Sequence, residues 1–276
     1  MREIEFTTDG RRWRADLAAP ADLAIPLQFD GAQPSFFATE PARAAPLRAG
    51  SFTGDVRQGA SCNCGVYTLA PHCHGTHTEC AAHVTIGGEH IAALTPVPPS
   101  LTVLLSVRPV ALGSASDAGT VHASASDPVI TRELLAAAAA PWLADPWVAL
   151  VIRTLPNDPS KLQRVYAGPC PAPYFLPDAM QWIVERGVSS LVVDLPSLDR
   201  AEDGGVLAAH RIYWGLPFGE RDPQLAARGR ALVTELAYVP PAVPDGLYLL
   251  DLHVPAFDAD AAPSRPVLYP VEEAAA

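Results

Sequence analysis

Two short, unbroken apolar runs constrain the fold of this chain more than any other feature. Residues 147–152 (WVALVI) and 190–194 (SLVVD) suit strands buried on both faces, because a half-exposed strand would alternate polar with apolar side chains. Between them, residues 177–186 read as a helix with Gly187 where a C-terminal cap belongs, leading directly into the second run. Further strand candidates lie at 64–69, 101–112, 231–239 and 247–252. Residues 2–6 and 13–17 form a hairpin around the Asp9–Gly10 turn signal, 131–140 is a second helix, and 39–49 reads as irregular and broken by proline. Many strands and few helices in mixed order predict an α/β chain with a mixed sheet core. A length of 276 residues, 49% of them hydrophobic, suffices for one large domain over 1–276.

Charge and composition exclude several functions. A formal net charge of −11 leaves little basic surface for a phosphate backbone, so nucleic acid is not an expected partner. The N-terminus has no apolar secretion-signal core, and no run of eighteen apolar residues exists to span a membrane, which together predict a cytoplasmic protein. No Gly-x-Gly-x-x-Gly follows a strand candidate, which removes dinucleotide chemistry. The single lysine, Lys161, against eighteen arginines suggests no function. Four of the five cysteines, Cys62, Cys64, Cys73 and Cys80, sit close together among histidines, and Cys170 stands apart. In a reducing compartment that clustering favours metal ligation or burial over disulfides.

Residues 61–84, SCNCGVYTLAPHCHGTHTECAAHV, carry the chemistry: four histidines, four cysteines and one carboxylate in twenty-four positions. His77 and Glu79 are two apart, so on an extended segment both side chains leave one face and can reach one cation. Imidazole nitrogen and carboxylate oxygen are the donors of catalytic zinc or manganese sites. A structural zinc site on the four clustered cysteines is the competing arrangement, although Cys-x-Cys is not the spacing of common zinc modules. Isolated histidines such as His90, His122 and His253 are more often structural than catalytic.

The string Gly75–Thr76–His77–Thr78–Glu79–Cys80–Ala81–Ala82–His83 resembles the signature of the cyclase superfamily, which includes bacterial kynurenine formamidase and isatin hydrolase, His-x-Gly-Thr-His-x-Asp-x-Pro-x-His. Further matches fall at Ser61–Cys62–Asn63, at residues 193–199 (VDLPSLD), at His210 with Thr234–Glu235–Leu236, and at Ser264–Arg265–Pro266. The resemblance implies a swivelling β/β/α fold, a homodimer or larger homo-oligomer, and one or two Zn²⁺ or Mn²⁺ ions. It also implies a small-molecule amide, lactam or ester as substrate, hydrolysed by metal-activated water. Its ligands would be His77, Glu79, His210 and Glu235, with His83 moving the proton first as base and then as acid. Three departures mark a divergent branch: Cys73 stands at the first ligand position, flanked by His72 and His74, Glu79 replaces aspartate, and Ala81 replaces proline. Either His72 or Cys73 completes the set, with His72 preferred. The stretch 214–230 is longer than the pattern expects. Phe36, Phe37, Trp214 and Phe218, all in loop-like stretches, are the candidate substrate contacts. The alternative to an enzyme is a small-molecule-binding protein that kept a degenerate metal site.

Overall fold

The computed structural model describes residues 2–37, 39–114, 123–167 and 172–274. One eleven-stranded sheet organises them, with strands at Glu3–Thr8 (β1), Arg11–Asp16 (β2), Ala21–Asp22 (β3), His77–Glu79 (β4), Ser100–Val107 (β5), Ala149–Thr154 (β6), Ser190–Val193 (β7), Leu232–Glu235 (β8), Gly246–His253 (β9), Ala261–Pro263 (β10) and Arg265–Glu273 (β11). The spatial order is β1-β2-β11-β9-β5-β6-β7-β8-β4-β10, with β3 beside β11. The centre, β5 to β8, is parallel, and the flanks are antiparallel. The mixed sheet expected from the sequence is therefore present.

Every residue of β6 and β7 is buried, although the first apolar run enters its strand only at Ala149 and leaves Val148 exposed. Alternate side chains along each strand point to opposite faces. Val103, Leu105, Leu150, Ile152, Leu191, Val193 and Val233 face three helices, whereas Leu104, Val151 and Val192 face Leu23, Ala237, Val239 and Leu250.

Five α-helices are present among the described residues: Pro71–His74 (α1), Ile91–Leu94 (α2), Arg132–Ala139 (α3), Pro177–Glu185 (α4) and Ala208–Trp214 (α5). α3 begins at Thr131, whose side chain accepts a hydrogen bond from the Leu134 N–H. α4 ends at Gly187, which holds φ 74 as a capping glycine does. Its Ala179, Met180 and Ile183 press onto the sheet.

Several boundaries differ from expectation for local reasons. The 101–112 run breaks after Val107, where Arg108–Pro109 interrupts the ladder before a short second pairing at Val110–Ala111. The 231–239 run stops at Glu235, because Leu236 turns to φ 51. Residues 39–49 are more ordered than the prolines suggested. Arg43–Pro46 pairs with Gly65–Thr68 as a largely exposed ribbon, so the 64–69 strand lies outside the core.

Candidate metal centre

β4 is the foundation of the site. It pairs antiparallel with β8, setting Glu235 opposite His77 and Val233 opposite Glu79, while Thr78 and Thr234 join hydroxyls on the other face at 2.7 Å. His77 and Glu79 thus share one face of an extended segment, with Glu235 across from them. Beyond Glu79 the chain passes through a 3-10 turn, Ala81–His83, that folds the His83 imidazole back over the same face. α1 delivers His72, α5 delivers His210, and Asp260, immediately before β10, borders the group.

The contacts converge on Glu79. Its Oε1 lies 2.9 Å from His210 Nε2, and its Oε2 lies 3.0 Å from His72 Nδ1 and 3.9 Å from His83 Nε2. Glu235 reaches His210 Nε2 at 3.4 Å and His77 Nε2 at 3.5 Å. His77, Glu79, His210 and Glu235 are all buried, whereas His72 and His83 are partly open to solvent.

The tautomers follow from the outer nitrogens. His77 Nδ1 donates to the Gly75 carbonyl at 3.0 Å, and His210 Nδ1 donates to Asp199 Oδ2 at 2.6 Å, so each can present the Nε2 lone pair to the cluster. Without a cation His210 Nε2 carries a proton and donates to Glu79 Oε1 at 2.9 Å, whereas the His77 Nε2 lone pair meets the Glu235 carboxylate, which is also an acceptor. His77 Nε2 is buried with no hydrogen-bond partner, 3.5 Å from the Glu235 carboxylate. Acceptors facing acceptors in a buried space require a cation or proton between them, so the donor set fits a divalent cation.

Titration reflects the same crowding. Burial opposes charge on His72, yet its contacts with Asp260 and Glu79 lift it to about 10. His210 is raised well above the usual imidazole range, because the Glu79 charge and the bonds to Asp199, Glu235 and Glu79 outweigh burial. Burial pushes the Glu79 carboxyl up, but the His83 and His210 charges bring it well below its ordinary value. Hydrogen bonds from His72 and His83 hold Asp260 far below the carboxylate range.

The family model Cyclase, described as "Putative cyclase", matches residues 17–200. The chain belongs to the Cyclase family. No curated protein sequence matches it. Among solved structures, the chain resembles one described as a predicted metal-dependent hydrolase from Bacillus stearothermophilus, at 16% identity and a TM-score of 0.57 over 91% of this chain and 98% of that one. It also resembles an isatin hydrolase bound to the product analogue thioisatinate, at 15% identity and a TM-score of 0.54 over 92% of each chain. Isatin hydrolase A from Labrenzia aggregata, bound to benzyl benzoate, matches at 14% identity and a TM-score of 0.56 over 91% and 93%. At such identities the likeness is one of fold.

Within the fold the sequence candidates separate. His72, His77, Glu79, His83, His210 and Glu235 come together. Cys73 does not join them: its buried thiol has Thr39 as a neighbour, and burial raises its pKa. His74 is structural, accepting from the Ala70 N–H and bonding the Glu40 carbonyl. The four-cysteine zinc alternative does not form. Cys62 is exposed, Cys80 is buried against the Glu89 and Asp260 carbonyls, and no cysteine belongs to an ion-sized group among the described residues. Cys170 and His122 lie outside those residues. His90 and His253 pair at the surface with Asp258 and Asp251.

The aromatic candidates also divide. Trp214 is fully buried and backs the centre, its ring 5.4 Å from His210 and its Nε1 bonded to the Ala231 carbonyl. Phe36 is buried on a short strand that packs against α1, with the ring of exposed Phe37 beside it at 3.9 Å. Phe218 is exposed. The 214–230 stretch folds as a tight loop whose Arg221 carbonyl accepts from the Ile86 N–H. Together with residues 81–89 it walls a cleft of about 790 Å³ that none of the clustered side chains lines.

Two residues escaped the sequence reading. Asp199 lies in the matched 193–199 segment, but its role as partner of His210 rests on tertiary contact. Asp260 lies with Asp258 in a proline- and alanine-rich stretch that carries no signal of its own.

Proposed function

We propose that this chain is a metal-dependent hydrolase of a small amide, lactam or ester, with His72, His77, Glu79, His210 and Glu235 holding one or two divalent ions, zinc or manganese. The observation carrying this reading is the buried His77 Nε2, which has no hydrogen-bond partner and faces the Glu235 carboxylate at 3.5 Å, beside a Glu79 carboxylate crowded by three further imidazoles. His72, and not Cys73, is the ligand from α1, because only the imidazole turns toward Glu79.

A divalent cation supplies Lewis acidity there, polarising a carbonyl and making water acidic near neutral pH. The protein does the rest. Glu79 directs one oxygen toward His210 and the other toward His72, so its carboxylate would join the ligands from α5 and α1. His83 stands at the open side with Nε2 toward Glu79, where it can accept a proton from water and return it to a departing amine or alcohol. Trp214 closes the inner wall and keeps solvent from behind His210. Phe36 and Phe37 flank α1 and are the aromatic residues we assign to substrate contact.

Elemental analysis of protein purified without chelator, beside a His77→Ala/Glu79→Ala variant, tests the reading. Stoichiometric metal that the variant loses, with turnover in a screen of formamides, lactams and esters, is the expected result. Metal-free wild type would overturn the assignment. Bound metal without turnover would favour a binding protein that kept the site.

A further inference from the structure

We infer that Asp260 is the positioning residue that turns His72 into a metal ligand and fixes the ring of His83, so that one carboxylate orients two imidazoles of different function. The inference rests on the metal-dependent reading above. Asp260 Oδ2 lies 2.9 Å from His72 Nε2 and 3.4 Å from His83 Nδ1, and the two rings stack with centroids 4.3 Å apart. Each ring has its other nitrogen toward Glu79 Oε2, at 3.0 Å for His72 and 3.9 Å for His83. Asp260 and Glu79 therefore grip both imidazoles from opposite ends. An imidazole whose outer N–H is held by a carboxylate has its tautomer fixed and its inner nitrogen more basic, as metal ligands and proton carriers both need.

The backbone makes this placement firm. β10 pairs with β4 so that Ala261 stands opposite Glu79, and the Asp260 carbonyl accepts from the Cys80 N–H at 3.0 Å. One ladder thus sets Asp260 and Glu79 in register. The arrangement also bears on the departure at Cys73. α1 is only four residues long, and the His72 ring it carries, beside the inward thiol of Cys73, is held at its outer nitrogen by Asp260.

Metal affinity by chelator competition, with Zn²⁺ and with Mn²⁺, tests the inference in the wild type and in Asp260→Ala, Asp260→Asn and Asp258→Ala. Asp258 pairs with His90 in the same segment, away from the centre, and reports general loosening of that loop. Asp260→Ala should bind the same number of ions with affinity lower by roughly 10- to 100-fold. Asp260→Asn, which keeps an acceptor oxygen, should recover most of that loss, and Asp258→Ala should match wild type. If turnover is found, kcat should fall in Asp260→Ala more than KM rises. Unchanged affinity in Asp260→Ala would overturn the inference, as would an equal loss in Asp258→Ala. Loss of a whole equivalent of metal would overturn it too, by making Asp260 a ligand itself. A wild type that binds neither ion would instead remove the metal-dependent reading.

Discussion

Asp199 Oδ2 lies 2.6 Å from His210 Nδ1, and the same carboxylate accepts hydrogen bonds from the backbone N–H groups of Ala209 and His210. Helix α5 has no side-chain cap of its own, since Leu207 precedes it in a left-handed conformation at φ 51. Asp199 therefore caps the helix and orients the imidazole it carries. Asp199→Ala strands these buried donors and should cost about 2–4 kcal/mol. Asp199→Asn, which still accepts from the backbone, should cost less. Urea unfolding of chelator-treated protein measures both.

The chain's one lysine is buried at the carboxyl ends of the parallel strands. Lys161 Nζ donates to Asp194 Oδ2 at 2.7 Å and to the Thr154 carbonyl at 2.7 Å, and Asp194 accepts from Thr154 through N–H and hydroxyl. Burial pushes the Asp194 carboxyl up against the pull of that ammonium. Lys161→Met leaves the carboxylate uncompensated and should destabilise by about 3–5 kcal/mol, whereas the double change Lys161→Met/Asp194→Leu should lose less. A denaturant series on both variants would show the difference, and equal losses would remove the pair from the account of stability.

His83 is assigned to proton transfer, not to holding metal. His83→Asn should leave the metal content unchanged and lower kcat by about 10²- to 10⁴-fold on any substrate found for the wild type. Loss of metal in this variant would place His83 among the ligands.

Affinity for metal should depend on pH through His72. Its folded pKa of about 10 stands above the ordinary 6.5, so without metal the protonated ring contributes stability that is complete below about 6.5 and fades as pH rises through about 10. A cation must displace that proton, so affinity should climb across the same interval. Chelator competition at stepped pH measures the rise, and His72→Gln should make it shallower, leaving the part due to His210.

The buried parallel strands, the helix between them and the chemistry of the donor set follow from the order of residues without any knowledge of the fold. An apolar run such as 149–152 suits a strand buried on both faces, and a two-residue step puts His77 and Glu79 on one face of any extended segment. The motif that His83 completes was legible for the same reason: its spacing is local. Which distant elements meet is settled only when the chain has folded. β4 reaches β8 across 156 residues, bringing Glu235 opposite His77, and no periodicity encodes that pairing. The choice between His72 and Cys73, adjacent on one short helix, depended on which side of α1 faces Glu79. Lys161 and Asp260 carried no signal, and Asp199 no role, because a single polar residue in a loop acquires its meaning only from the buried group it is folded against.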